Sequence, residues 1–186
     1  MIFRPMPLVG AYCISLERRE DARGFFARSF CETEFAAHGL KTHWAQANVS
    51  YNVRKGTLRG LHFQRPPHAE VKLVKCLSGA VLDVLVDLRA GSPSFGHWTG
   101  VELTSGNRDM AYVPEGFAHG YQTLTEDAEV MYLVSAAYAP QAEGGLNALD
   151  PALGIQWPLP VSEISPKDSQ SPALSQVAAM DVTQPD

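Results

Sequence analysis

The stretch that decides the fold is GTLRGLHFQ, residues 56–64, which continues through a Pro66-Pro67 turn into VKLVKCL, residues 71–77. Apolar strand-forming residues alternate with polar ones on both sides of the prolines, a pattern typical of strand, turn and strand. The two predicted strands carry Arg59, His62 and Lys72. Such side chains are costly to bury unless something satisfies them. On these residues alone, two interpretations remain: a solvated hairpin with scattered charges and a functional site.

Outward from this stretch, the chain alternates between short apolar segments and turn residues. We predict strands over residues 8–16, 23–30, 44–50, 79–88, 98–103, 110–113 and 128–135, a charged turn over 17–21 and a helix over 32–38 that ends at Gly39. Many strands and little helix favour an all-β jelly-roll sandwich or barrel. We expect one domain over residues 1–186, with a polar C-terminal tail from about residue 169.

The predicted strand over residues 79–88 has two distinct faces. Leu82, Val84, Val86 and Leu88 would lie on one face, because successive strand side chains point to opposite sides. Asp83 falls on the other face among apolar neighbours.

Composition narrows the classes of function. The net charge is −5 and the pI about 5.6, so the overall field would not attract nucleic acid. An anionic small substrate would need a local group of Arg and Lys. The three cysteines lack metal-ligand spacing, and no apolar run approaches membrane-spanning length. We therefore expect a cytoplasmic protein with reduced thiols and no membrane association.

A second histidine segment, Pro114-x-Gly116-x-x-His119, resembles the second signature motif of cupins, which are small jelly-roll barrels. A metal-binding cupin would also carry a His-x-His pair in its first motif. Here Gln64 stands where the second histidine should be, so a metal site is poorly supported. We expect no metal.

Taken together, the segments resemble the dTDP-4-dehydrorhamnose 3,5-epimerase family over about residues 10–170, in the order in which that family carries them. The matching pieces are RGFF (23–26), QxNxS (46–50), LRGLHFQ (58–64), KLV (72–74), DVxVDLR (83–89), SPxFG (92–96), PEGFAHG (114–120), EVMY (129–132), DPxxGIxWP (150–158) and SxKD (165–168). The resemblance implies a cupin-like jelly roll that epimerises a nucleotide-linked 4-keto-6-deoxyhexose without an organic cofactor.

The same resemblance implies the catalytic roles. A 4-keto sugar has acidic protons on carbons 3 and 5, and inversion needs a base on one face, an acid on the other and a cation at the ketone oxygen. By resemblance, His62 is the base, Asp168 its orienting partner, Lys72 the cation and Tyr132 the acid.

Substrate-binding positions also follow from the resemblance. Arg59 and Arg23 match phosphate-binding arginines, and Arg23 would reach the site of a second subunit through an exchanged N-terminal strand in a homodimer. The other positions implied are Phe26, Gln46, Asn48, Asp83, His119 and Tyr138. His119 and Asp83 could equally be structural. Strict alternation would put Arg59 and His62 on opposite faces, so Gly60 should mark a bulge if both line one pocket.

Several positions depart from the family pattern, among them Ala136-Ala137 and Asn147-Ala148-Leu149. They leave the proton-transfer residues intact but leave open the identity of the nucleotide sugar and the number of carbons inverted. The alternatives are a mono-epimerase of a dTDP-, CDP- or GDP-linked sugar, a metal-dependent cupin enzyme and a non-catalytic sugar-binding cupin.

Overall fold

The structure is a computed structural model that describes residues 1–182. Helix is scarce, and the chain consists mainly of short strands. In chain order the strands are β1 (Ile2–Pro5), β2 (Tyr12–Ser15), β3 (Arg19–Asp21), β4 (Gly24–Phe26), β5 (Gln46–Asn52), β6 (Thr57–Gln64), β7 (Lys72–Ser78), β8 (Ala80–Asp87), β9 (Trp98–Thr104), β10 (Met110–Val113), β11 (Phe117–Thr123), β12 (Ala128–Val134), β13 (Glu143–Gly145) and β14 (Glu163–Ile164). The α-helices are α1 (Glu32–Ala37) and α2 (Pro166–Ser169), and 3₁₀ turns lie at Pro140–Ala142 and Leu174–Gln176.

The strands form two facing sheets. The first has the order β1-β2-β10-β7-β12-β5, and the second has the order β13-β6-β11-β8-β9, with β14 parallel to β6. All other pairings within the two sheets are antiparallel. Strands that alternate between two layers in this way are typical of a jelly roll, so the predicted fold class is confirmed.

Three apolar clusters hold the layers together. The cluster between the sheets includes Val74, Leu85 and Val130, each fully buried. Phe35 of α1 covers the outer face of the first sheet. The segment after β13 covers the outer face of the second sheet, where Met180 lies at the end of the described chain. The outer faces of both sheets are thus partly covered, so a ligand site is expected in the space between the sheets.

The predicted faces of β8 are those of the structure. Leu82, Val84, Val86 and Leu88 pack against the C-terminal segment, whereas Asp83 lies on the inner face with no exposed surface. The helix prediction and most strand predictions are confirmed to within a few residues.

Three N-terminal and C-terminal details differ from the sequence-based expectation. The predicted first strand over residues 8–16 is wrong in extent: the structure has β1 at Ile2–Pro5 and β2 at Tyr12–Ser15. The predicted turn over 17–21 is also wrong, because Arg19–Asp21 is a strand that pairs with β4. The segment after residue 169 is described to residue 182, and Val177 and Met180 in it are buried. Charged or short strands lack the apolar alternation on which the prediction depended.

A bulge at Gly60 shapes the strand that carries the site. His62 pairs with His119 and Arg59 pairs with Tyr121, so two residues of β6 face one residue of β11 between them. Gly60 has a φ of 108°, and a Cβ there would lie 2.7 Å from the His119 carbonyl oxygen. Only glycine fits without displacing β11. The predicted bulge is confirmed, and it brings the side chains of Arg59 and His62 to the same face.

Among the residues that the structure describes, no helix is both long and apolar enough to cross a membrane.

Candidate active site

The candidate site surrounds His62, which lines three cavities of about 350, 110 and 460 Å³. The first two are lined by residues of both sheets, and the third by β6, β14 and α2. The second sheet contributes His62 from β6 to the 350 Å³ cavity. The first sheet contributes Lys72 from β7 and Tyr132 from β12. A flat molecule bound here would therefore have the histidine on one side and the lysine and tyrosine on the other.

His62 and Asp168 form a hydrogen-bonded pair. Nε2 of His62 lies 2.7 Å from Oδ1 of Asp168. The other carboxylate oxygen accepts a hydrogen bond from the Gly60 backbone N–H at 3.1 Å, and the Ser165 hydroxyl accepts one from the Asp168 N–H at 3.0 Å. With both ends of the aspartate held, the imidazole ring has a fixed orientation. The carboxylate keeps the proton of a neutral His62 on Nε2, which leaves Nδ1 able to accept another.

The protonation state of His62 suits a base. Burial lowers its pKa below the ordinary value of 6.5, while the hydrogen bond and charge of Asp168 oppose this shift. The positive charges of Lys72 and Lys167 lower the pKa further. His62 is therefore mainly neutral at pH 7 and can accept a proton.

Tyr132 has the opposite character. Burial raises the pKa of its hydroxyl, and the nearby Tyr121 and Glu70 add to the shift. The phenol consequently holds its proton at neutral pH, as a general acid must. The two sheets thus present a proton acceptor and a proton donor to the same cavity.

Lys72 is held by an ion pair that was not predicted from the sequence. Its Nζ lies 3.2 Å from Oε1 of Glu70, and both side chains are largely buried. Gln64 donates to the other oxygen of Glu70 at 3.3 Å. The carboxylate offsets the cost of burying the ammonium at the cavity wall. Only the position of Glu70, two residues before Lys72, could have indicated it.

Both the nitrogen and the oxygen of the Gln64 side-chain amide form hydrogen bonds. Its Nε2 donates to the carbonyl oxygens of His68 and Ala137, and its Oε1 accepts from the Ala139 N–H at 2.6 Å. This amide, at the position where a metal-binding cupin carries its second histidine, therefore fastens a loop to β6. The described part of the chain contains no group of three or more potential His, Cys, Asp or Glu ligands.

The lining of the 350 Å³ cavity contains Gln46, Asn48 and Tyr138, all predicted as substrate-binding positions. Oε1 of Gln46 accepts from the Tyr138 backbone N–H at 2.9 Å. The Tyr138 hydroxyl donates to Glu143 at 3.1 Å, and Lys167 pairs with the same carboxylate at 2.6 Å. Glu143 and Lys167 were not singled out from the sequence, although Lys167 lies inside the SxKD segment and directly precedes Asp168.

His119 and Asp83 form a second pair beside the first. Nε2 of His119 lies 2.8 Å from Oδ2 of Asp83. His119 lines the 110 Å³ cavity together with Arg59 and His62, whereas Asp83 has no exposed surface. The structure does not place Asp83 in the cavity, so any effect on a ligand would pass through His119.

Arg23 and Phe26 do not join the other predicted site residues. Both lie in the β3–β4 hairpin, where the Arg23 side chain is 90% exposed and pairs with Asp21 at 2.6 Å. Phe26 is 66% exposed and is therefore not part of the core of its own chain. Within the single chain described, the β3–β4 hairpin does not line the 350 Å³ cavity.

Comparison with known proteins agrees with this geometry. The sequence profile of the family described as dTDP-4-dehydrorhamnose 3,5-epimerase matches residues 5–176. The dTDP-4-dehydrorhamnose 3,5-epimerase of Salmonella typhimurium is 46% identical over 84% of this chain and 86% of its own, and the dTDP-4-dehydrorhamnose 3-epimerase of Streptomyces niveus is 41% identical over 95% and 85%.

A solved relative extends the likeness to three dimensions. The Legionella pneumophila dTDP-6-deoxy-D-glucose-3,5-epimerase, crystallised in complex with dTDP-4-keto-L-rhamnose, superimposes with a TM-score of 0.90 at 35% identity. The match covers 98% of this chain and 99% of that one. The chain therefore belongs to the dTDP-4-dehydrorhamnose 3,5-epimerase family.

Proposed function

We propose that the protein is a nucleotide-sugar epimerase that converts dTDP-4-dehydro-6-deoxyglucose into dTDP-4-dehydrorhamnose. The observation that carries the proposal is the arrangement of one cavity between two sheets. A neutral histidine held by an aspartate lies on one sheet, and an ammonium and a protonated phenol lie on the other. Inversion of a carbon next to a ketone needs these three groups in this relation.

The reaction proceeds through an enolate. His62 removes the proton from carbon 5 or carbon 3, and the electron pair of the broken C–H bond moves into the ring and onto the oxygen of carbon 4. The Lys72 ammonium stabilises that oxyanion. Tyr132 then donates its proton to the same carbon from the opposite face, which inverts the configuration. Asp168 holds the imidazole and stabilises the imidazolium that forms.

The nucleotide part would extend from the 350 Å³ catalytic cavity into the cavities of 110 and 460 Å³. Arg59 lines both, and Lys167 lines the larger of them. Cations at that place suit the diphosphate that links nucleoside and sugar. The dTDP-sugar bound by the Legionella relative supports the same class of ligand for this chain.

We also propose a homodimer in which each site is completed by the hairpin of the other copy. The β3–β4 hairpin is exposed at all six strand positions, which is unusual for a hairpin that packs only on its own chain. The edge strand β5 exposes Val49 and Tyr51 on its outer face, and Val53 follows directly. An unpaired edge beside apolar side chains favours pairing with another chain. Arg23 and Phe26 would then reach the neighbouring nucleotide site.

Light scattering at assay concentration tests this assembly. We expect the mass of a dimer, and we expect Arg23→Ala to weaken dTDP binding while the dimer persists. A fully active monomer would remove Arg23 and Phe26 from the site.

The number of carbons inverted is tested with the wild-type protein in deuterated water. With dTDP-4-dehydro-6-deoxyglucose as substrate, NMR should show deuterium at both carbon 5 and carbon 3, the outcome expected for a 3,5-epimerase. Label at carbon 3 alone would indicate a mono-epimerase, the activity named for the Streptomyces niveus relative. No label at either carbon would refute the epimerase proposal.

The reaction as written needs no metal, so dialysis against a chelator should leave the rate unchanged.

A further inference from the structure

We propose that Asn52 is a positioning residue that aims the Arg59 guanidinium at the diphosphate of the substrate. This inference rests on the proposed function, because it concerns how the nucleotide sugar is held. Asn52 lies at the end of β5 and is 3% exposed, so it is out of reach of a bound ligand. Its effect on binding would pass through Arg59.

The contact between the two side chains is short and specific. Nε of Arg59 donates to Oδ1 of Asn52 at 2.6 Å. Nη2 of Arg59 lies 3.4 Å from the Tyr51 carbonyl oxygen, a much weaker contact. Both partners are neutral oxygens. They orient the guanidinium without cancelling the positive charge that a diphosphate would meet.

The Asn52 amide is itself held in one orientation. Its Nδ2 donates to the Ala128 carbonyl oxygen at 3.1 Å and to the Tyr121 hydroxyl at 3.3 Å. That hydroxyl is in turn 2.6 Å from the hydroxyl of Ser50. Since both N–H groups of the amide face acceptors, its oxygen must face Arg59. A buried amide with all its groups satisfied forms a rigid support.

The consequence is a guanidinium with one edge occupied and one edge available. The Nε side of Arg59 is held against β5, and the side chain lines both the 110 Å³ and the 460 Å³ cavities. A diphosphate takes two parallel N–H groups from such a fork. A fork that is already oriented loses less conformational entropy on binding, which improves affinity.

The experiment measures dTDP binding by calorimetry for the wild type, Asn52→Ala, Arg59→Ala and the double variant. Asn52→Ala should weaken binding by about tenfold, because the released arginine must be ordered again in the complex. In the Arg59→Ala background the same substitution should change dTDP binding by less than about twofold, because Asn52 then has no guanidinium to orient. With the dTDP-sugar substrate, KM should rise with the dissociation constant while kcat stays within about twofold.

Two further variants guard against a simple loss of folding. Asn52→Asp keeps the shape of the side chain but places a carboxylate against Arg59, so it should also weaken dTDP binding by about tenfold or more. Gln122→Ala is a matched control: Gln122 is a fully buried amide that bonds only to the backbone of Leu159 in the contacts described. It should lower stability and leave dTDP affinity unchanged.

The inference is wrong if both Asn52 variants bind dTDP within about twofold of the wild type. It is also wrong if Asn52→Ala weakens binding equally with and without Arg59. A wild-type protein that does not bind dTDP at all would refute the proposed function and this inference together.

Discussion

The two histidine–aspartate pairs of this protein have nearly the same geometry but different surroundings. His62 and Asp168 are 2.7 Å apart, and His119 and Asp83 are 2.8 Å apart. The two histidines are even direct partners across β6 and β11. Yet the His62 side chain is 35% exposed to the cavities, and that of His119 is only 7% exposed. Access to substrate, rather than the hydrogen bond itself, distinguishes a base from a supporting residue.

The two aspartates that hold the histidines also differ in their hydrogen bonds. Both oxygens of Asp168 accept hydrogen bonds, from His62 and from the Gly60 N–H. Oδ1 of Asp83 has no partner among the described residues. Removal of His119 would therefore leave a sealed carboxylate without either contact, whereas Asp168 would keep one contact and gain access to cavity water. The first pair should matter most for rate and the second for stability.

The largest expected effect is that of His62→Ala on the rate. Loss of the base should lower proton exchange into the sugar by about 10³-fold or more, within the range for general bases. Binding of dTDP should change little, because Arg59 remains. Deuterium exchange and calorimetry on the same preparation measure both quantities. Exchange at a near-normal rate would show that His62 is not the base.

The next effect concerns the aspartate that holds the base. Asp168→Asn should lower kcat by about 10²-fold or more, because the amide favours the wrong tautomer and does not stabilise the imidazolium. Asp83→Asn should have a much smaller effect on kcat. Equal losses in the two variants would contradict the distinction between the pairs.

The pH dependence sharpens the same comparison. Since burial lowers the pKa of His62 below 6.5, kcat/KM of the wild type should be constant near pH 7 and fall only as the pH drops through that lower value. Asp168 raises the pKa of His62, so Asp168→Asn should move the acid limb to still lower pH. A limb that moves upward would contradict the assigned contact.

The smallest effect, one on stability, should reverse the order of the pairs. His119→Ala leaves Asp83 buried and unpaired, and it should lower the free energy of unfolding by about 3 kcal/mol. His62→Ala should cost about 1 kcal/mol, because water in the cavity can reach Asp168. Urea unfolding at one protein concentration and pH 7 measures both. A larger loss of unfolding free energy for His62→Ala would show that the structural role belongs to the His62–Asp168 pair, which would contradict the account.

Sequence alone accounts for much of the sandwich. Alternation in β8 predicted both of its faces, because this feature depends on neighbours along the chain. The bulge at Gly60 was predicted on the condition that Arg59 and His62 line one pocket, which the family resemblance implied. β3 and β4 have only exposed residues, so no apolar pattern revealed their pairing. The sequence pattern identifies a strand only where one face of that strand is buried.

The site was less predictable from local pattern. Asp168 lies 106 residues from His62, and only the family resemblance brought them together. Glu70, Glu143 and Asn52 were not predicted as site residues, because each acts through a contact that its own segment does not reveal. A polar residue at a strand end has no distinctive periodicity, and its partner is set by the packing of the two sheets.

The central claim is that the substrate lies between a base on one sheet and an acid on the other. Tyr132→Phe tests it most directly, since the variant keeps His62 and Lys72 but lacks the phenolic proton. Incubated with dTDP-4-dehydro-6-deoxyglucose in deuterated water, it should still exchange the proton next to the ketone and yield little inverted sugar, as read by NMR. Inversion at the wild-type rate would mean that the proton comes from another group, and the two-sheet account of the chemistry would be wrong.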